Sequence, residues 1–313
     1  MRFFDFAYGF AQNDSKSRKG DAMELHVVLP GETLFSIARQ YGANQQLLAD
    51  LNGLAPPYAL AVGQALLVLQ PEETYVVRPG DTLFSVAQRF SLPPLALLRR
   101  NPGLGGTAQL RPGQTLVLAW QQQGTRPLEL SGYAYPFVQQ QVLRGILPYA
   151  TYLAPFTYGV GTDGLVTPED DALLALARQY RAQPLLHLST LTEDGNFSTA
   201  RAAEILADPR RQQALAAAVA QAAKAGGYEG VDVDFEFVGR ENAAAYAEFV
   251  GLLRQQVNAL GYVLFTALAP KVSPQQPGAL YEGHDYAALA AGSDAVLLMT
   301  YEWGYTYKPQ PYM

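Results

Sequence analysis

The chain has 313 residues, 49 % of them apolar, which is enough for two or three domains with a sizeable core and excludes wholesale disorder. Its net charge of −6 and the lack of any basic block argue against nucleic acid or an anionic membrane as partner. Without cysteine there is no disulfide or thiolate metal site, and no apolar run approaches the length of a membrane span.

In chain order, residues 1–24 come first. Asp5 interrupts a short apolar stretch there and no small-residue cleavage site follows, so the segment reads as a flexible tail or an over-extended start. Two copies of one unit follow, at 25–69 and 75–119. Pro30, Gly31, Thr33, Leu34, Phe35, Ser36, Ala38 and Asn52 recur 49 positions later as Pro79, Gly80, Thr82, Leu83, Phe84, Ser85, Ala87 and Asn101, with Glu32 matched by Asp81. Each copy predicts a short strand, a Pro-Gly turn, a helix, a second short helix and a closing strand. Leu34, Ile37, Ala38 and Tyr41 fall on one helical face, as do Leu83, Val86, Ala87 and Phe90. Gly31 and Gly80 suit the turn, and Thr33 and Thr82 suit helix caps. The polar stretches "QPEET" (70–74) and "QQQGTRP" (121–127) read as linkers, the second within a connection over 120–130.

These repeats resemble the LysM module, through the V-x-x-G-[DE]-T-L-x-x-I/V-A run and the later Asn in both copies. The resemblance implies binding of β-1,4-linked N-acetylglucosamine glycans, as in peptidoglycan or chitin. The implied contacts are Gly31, Glu32, Thr33, Leu34 and Asn52 in the first copy, and Gly80, Asp81, Thr82, Leu83 and Asn101 in the second.

From residue 131 to 313, strands alternate with helices. Candidate strands are "GYAYPFV", "TYLAPFTY", "PLLHLSTL", "GVDVDFEFV", "YVLFTALAP" and "AVLLMTYEW". One helix is predicted over "TPEDDALLALARQY", with Thr167 as cap and Pro168 at its first position. Near-continuous apolar strands joined by helices predict a parallel sheet, and a (β/α)8 TIM-type barrel is the leading architecture. Six predicted strands fall short of the eight, over about 250 residues, of a complete barrel. The expectation is therefore an incomplete barrel, as in a fragment, with a sheet that stays open as the alternative.

Within "YEGVDVDFEFVGR" (228–240), Asp232, Asp234 and Glu236 alternate with Val and Phe. Side chains alternate along a strand, so the acids share one face. Neighbouring charges ~7 Å apart repel by ~2 kcal/mol at an effective dielectric near 20, which is hard to explain as packing. Three readings compete. A divalent-metal loop would need glycine and polar filler where this run has Val and Phe. A solvated edge strand would turn the acids outward. Glycosidase chemistry needs a carboxylic acid to protonate a leaving oxygen.

"EGVDVDFE" resembles the D-G-x-D-x-D-x-E signature on the fourth strand of family-18 glycoside hydrolases, with Glu229 in place of the first Asp. With "GYAYPF" first and "LLMTYEWGY" at the sixth strand, the segment is most similar to the spore-germination branch, which also carries LysM repeats. The resemblance implies that Glu236 is the general acid and later the base. It implies that Asp234 orients the substrate's 2-acetamido group, which attacks the anomeric carbon with retention, and that Asp232 shares a proton with Asp234. Tyr301 would bond the acetamido group, with Met299 as pocket wall and Glu302 where many members have Asp. Strands seven and eight, which normally floor the sugar pocket with aromatics, lack a counterpart, and the third strand lacks a Gly pair common in chitinases. Tyr133, Tyr135 and Trp303 could stack on sugars or pack in the core. His26, His187 and His284 show no spacing that suggests a site, and His187 reads as a satisfied core residue.

The expected function is a retaining N-acetylglucosaminidase acting on spore-cortex peptidoglycan, located in the spore or cell wall and needing neither metal nor cofactor. The alternatives are a chitinase and a glycan-binding protein without turnover. Oligomeric state is left open.

Overall fold

A computed structural model describes residues 23–121, 127–161, 164–192 and 198–300. By its internal contacts the chain divides into two units, one built on the repeats and one on the parallel sheet.

In the first unit, β1 (Met23–Val27) pairs antiparallel with β2 (Ala65–Leu69), and α1 (Leu34–Tyr41) and α2 (Gln45–Leu51) lie between them in sequence. The second repeat has the same order: β3 (Pro71–Val76), α3 (Leu83–Arg89), α4 (Pro94–Arg100) and β4 (Thr115–Trp120). The predicted helical faces supply the cores, with Leu34, Ile37, Ala38, Leu48, Leu66 and Val68 buried together in the first repeat. Thr33 and Thr82 cap α1 and α3, each hydroxyl accepting the backbone N–H of the serine three residues on. Gly31 and Gly80 take φ of +85° and +86°, the left-handed conformation that the Pro-Gly turn requires.

Two boundaries differ from the sequence expectation. "QPEET" is no linker, because β3 begins at Pro71 and pairs as far as Trp120. Polar side chains can point to water from a two-stranded edge while the backbone pairs, so composition hid the strand. In addition, residues 138–150 belong with the repeat unit, not the sheet unit. They contain α5 (Gln140–Ile146), after which the Arg99 guanidinium donates to the Pro148 carbonyl and the Tyr149 hydroxyl donates to the Arg99 carbonyl at 3.2 Å. Gly106 permits that approach, since a Cβ there would stand 1.7 Å from the Arg144 carbonyl oxygen.

The second unit holds six parallel strands in the spatial order β5 (Ser131–Ala134), β6 (Tyr152–Pro155), β9 (Gln183–Ser189), β10 (Gly230–Asp234), β11 (Val263–Leu268) and β12 (Ala295–Leu298). A two-residue ribbon, β7 (Gly159–Val160) with β8 (Leu165–Val166), follows β6. The helices are α6 (Asp171–Tyr180), α7 (Thr199–Leu206), α8 (Pro209–Gly226), α9 (Ala243–Asn258) and α10 (Tyr286–Ala291). This is the incomplete β/α barrel that the alternating pattern predicts, with six strands among the described residues.

Strand alternation divides the side chains as expected. Val231, Val233 and Phe235 join Leu186, Leu188 and Leu264 in a core shared with Val219, Phe249 and Leu253 of the covering helices. The opposite face forms an apolar layer of Tyr152, Ala154 and Leu185, with Tyr133, Val263 and Phe265 packed on it. Helix α6 starts later than predicted. Its N-cap is Asp170 rather than Thr167, and the buried Asp170 carboxylate accepts a hydrogen bond from the Tyr228 hydroxyl, a tertiary contact that holds the chain out of helix until Asp171.

Candidate active site

The acid-bearing strand is shorter than its pattern. β10 ends at Asp234, and Phe237 takes a positive φ of +54°, so the backbone leaves the sheet just where Glu236 stands. Glu236 is therefore half-buried beyond the strand's C-terminal end, while Asp232 and Asp234 stay inside with 1 % and 7 % exposure. His284 holds this exit in place. Its Nε2–H donates to the Phe235 carbonyl at 2.9 Å and its Nδ1 accepts the Ala269 N–H at 3.0 Å, tying the end of β10 to the end of β11. Burial pushes the His284 imidazole below its ordinary pKa, which suits a ring that must accept at Nδ1.

The two buried acids are not alone on their face. Register places Asp232 opposite His187 and Asp234 opposite Ser189 of β9. His187 is fully buried, with Nε2 3.8 Å from an Asp232 oxygen and 3.5 Å from an Asp234 oxygen. On its other side, Nδ1 is 2.6 Å from the Thr157 hydroxyl. Tyr133 of β5 donates its hydroxyl to Asp232 at 2.8 Å and sets its ring edge against the His187 ring. One oxygen of each aspartate, Oδ1, has no hydrogen-bond partner among the described residues.

Burial raises the Asp232 carboxyl to about 6. The His187 charge opposes that rise, the Asp234 charge adds to it, and the Tyr133 hydroxyl opposes it. Two carboxylates in one dry pocket favour sharing a proton over carrying two full charges. Among the described residues, no group of His, Asp or Glu is placed to hold a metal ion.

Several sequence expectations can now be located. The acids point inward, so the solvated-edge reading of this strand does not hold. Tyr133 gives its hydroxyl to Asp232 and its ring edge to His187, so it is part of the acid cluster. Tyr135 is half-exposed and stacks on Phe137 with centroids 5.0 Å apart and planes 18° from parallel. Phe137, 81 % exposed, continues the aromatic series at 133, 135 and 137 of the sequence. Met299 is buried beside Ala267 and Ala269 just past β12. Tyr301, Glu302 and Trp303 lie outside the described residues. His187, read from the sequence as a core residue, faces the acid pair instead, because parallel register decided its neighbours.

In the repeats, the named residues are mostly engaged within their own module. Leu34 and Leu83 are buried. Asn52 and Asn101 bond Leu67 and Val117 of the closing strands through both carbonyl and N–H. Glu32 accepts the Leu29 N–H and pairs with His26, each at 2.8 Å, and Asp81 accepts the Arg78 N–H and the Tyr75 hydroxyl at 2.7 and 2.6 Å.

A partial parallel β/α barrel with inward acids on its fourth strand, joined to two βααβ repeats, defines the class. Residues 26–68 and 75–119 match the LysM domain, and residues 189–309 match the family described as Glycosyl hydrolases family 18. The chain belongs to the LysM-containing family-18 glycoside hydrolases. It is 34 % identical over 296 residues to the cortical fragment-lytic enzyme of Bacillus anthracis, covering 92 % of this chain and 67 % of that one. The crystal structure of the Bacillus cereus spore cortex-lytic enzyme SleL superposes with a TM-score of 0.69 at 32 % identity, covering 93 % of this chain and 68 % of that chain. A class V chitinase from Pseudomonas fluorescens matches less of the chain, 56 % of it and 55 % of that structure, at 27 % identity and a TM-score of 0.51. The chain spans about two thirds of the length of the curated relatives it matches.

Proposed function

We propose that this protein hydrolyses β-1,4-linked N-acetylglucosamine glycan in spore-cortex peptidoglycan, with its LysM modules holding the enzyme on the polymer. The observation that carries the reading is the placement of the acids. Asp232 and Asp234 are buried on the inner face of β10, and Glu236 stands half-buried beyond its C-terminal end, where barrel enzymes carry their active sites. Likeness to cortex-lytic relatives through both the repeats and the barrel supports cortex over other glycans.

In this reading Glu236 protonates the departing glycosidic oxygen and then deprotonates the incoming water. Asp234 accepts the acetamide N–H and balances the positive charge that develops as the acetamide oxygen attacks the anomeric carbon, which gives retention. Asp232 holds the proton that Asp234 gives up, with Tyr133 fixing its orientation. Tyr301, Glu302 and Trp303 are assigned to the acetamide and the pocket rim, and Met299 to its wall. Tyr135 and Phe137 offer an aromatic face near the end of the first strand, suited to a pyranose ring. The reading places the protein at the spore cortex or cell wall.

Incubating the chain with cortex fragments and with chitin oligomers, followed by mass spectrometry, tests this. Products ending in N-acetylglucosamine from cortex, abolished by Glu236→Gln, are expected. Cleavage of chitin alone would replace cortex with chitin, a reading favoured by the chitinase likeness of the barrel. Binding of both without cleavage would reduce the protein to a glycan-binding one.

A further inference from the structure

His187 has no part in the mechanism just given, yet it occupies the centre of the acid cluster. Its ring is fully buried and held on three sides: Phe156 stacks on it at 4.8 Å, Tyr133 meets it edge-on at 5.1 Å, and the Thr157 hydroxyl lies 2.6 Å from Nδ1. The remaining polar atom, Nε2, has no hydrogen-bond partner among the described residues and faces carboxylate oxygens at 3.5 and 3.8 Å. A bare lone pair in that position would confront two groups that can only accept when ionised. Packing alone does not call for a histidine there, because an apolar residue would avoid an unsatisfied buried nitrogen.

We propose that His187 is a positioning residue for the glycosidase reaction, presenting an Nε2–H between Asp232 and Asp234 and thereby holding the acid pair in the state that receives the substrate's acetamide. The proposal rests on the functional reading above.

The proton balance is simple. With one proton beyond the neutral ring, the cluster carries a net charge of −1. That proton can sit on the imidazole, with both carboxylates ionised, or on Asp232, with the ring neutral and Nε2–H directed at Asp234. Moving it between these sites changes neither the proton count nor the net charge. Asp234 can therefore be ionised when the acetamide N–H arrives without leaving two unbalanced charges in a dry pocket. The Thr157 hydroxyl can serve either arrangement. It donates to Nδ1 when the ring is neutral, or accepts from Nδ1 and donates to the Tyr158 carbonyl at 3.0 Å when the ring is charged.

Among the described residues, the polar groups seen against this cluster include Asp232 and Asp234 on β10, Tyr133 on β5 and Thr157 after β6. Tyr246 on α9 and His284 before α10 lie within the field of the acids. Ser189, on the same strand as His187, bonds Thr157 at 3.0 Å and completes the support. The sequence could not show this arrangement, since His187 and Asp232 are 45 positions apart and meet only through the register of β9 and β10.

The test uses the full chain, its His187→Gln and His187→Leu variants, and two readouts. The first is kinetics on cortex fragments. A positioning role predicts that His187→Leu lowers kcat about 10- to 100-fold with KM within about twofold, while the amide of His187→Gln restores part of the loss. The second is the carbon-13 titration of the Asp232 carboxyl, identified with Asp232→Asn. Its midpoint is expected to move upward in His187→Gln, because the electrostatic influence of His187 that opposes the effect of burial is gone.

An Asp232 midpoint that does not move in His187→Gln overturns the proposal, as does a folded His187→Leu that keeps kcat within twofold. If His187→Leu does not fold, His187→Gln and the titration decide alone. A native chain that cleaves neither glycan overturns the glycosidase reading instead, and the Asp232 titration then decides whether His187 governs the acid pair.

Discussion

Asp232→Asn is expected to stabilise the sheet unit while impairing its chemistry, an opposition that separates a site residue from a packing residue. The Asp232 carboxyl lies at about 6, against 3.8 for an unperturbed aspartate. That difference of roughly two units corresponds to about 3 kcal/mol at 1.36 kcal/mol per unit. The sign follows from which state holds the proton. Below the unfolded value both states are protonated and Asp232 costs nothing. As pH rises from there to about 6, the unfolded chain releases its proton while the native one retains it, so stability falls; above that the cost is constant.

Asparagine removes the charge and still accepts the Tyr133 hydroxyl through its side-chain carbonyl. Urea unfolding followed by circular dichroism should therefore show the variant more stable by up to about 3 kcal/mol near pH 7, with the gain shrinking to nothing near pH 3.5. Cleavage of cortex glycan by the same variant should fall. A variant that is no more stable than the native chain near pH 7, or a difference that does not vary with pH, would refute the assignment of Asp232 as a buried charge.

Glu236→Gln should lower glycan cleavage by about 10²- to 10⁴-fold, the usual contribution of a general acid, with binding to cortex unchanged in a pull-down assay. His284→Leu should cost about 2–5 kcal/mol in urea unfolding, because the buried Phe235 carbonyl and Ala269 N–H lose their partner. The His284 pKa is depressed in the fold, so its contribution is fully present above about pH 6.5 and is lost as pH falls and the unfolded ring takes up its proton first. Asn101→Ala should destabilise the second repeat by about 2–4 kcal/mol, since the side chain makes three hydrogen bonds in a buried setting, and Asn52→Ala should cost less in the more exposed first repeat. Phe137→Ser should weaken retention on a chitin oligomer column without changing the unfolding midpoint, because that ring is mostly exposed.

Much of the architecture was legible from local chemistry. The duplicated Pro-Gly-[Glu/Asp]-Thr-Leu run carries a turn glycine, a capping threonine and a helical apolar face, all of which act within a few residues, and both repeats fold accordingly. Apolar strands separated by helical segments determined a parallel sheet, and the alternation in "VDVDFE" determined that Asp232 and Asp234 share a face. What failed was decided by contacts between distant segments. Tyr228 reaches Asp170 and delays α6, the closing strand of the second repeat draws Pro71 into pairing, and Arg99 and Gly106 receive the segment around α5. The strand carrying the acids ends at Asp234, and Phe237 turns the chain, so Glu236 reaches its position from a loop tied down by His284. The sequence alone determined which carboxylates belong together, because a two-residue period is a local property. Only the tertiary structure decided that His187 stands between two of them, because register across parallel strands is set by packing and leaves no trace in the spacing of one chain.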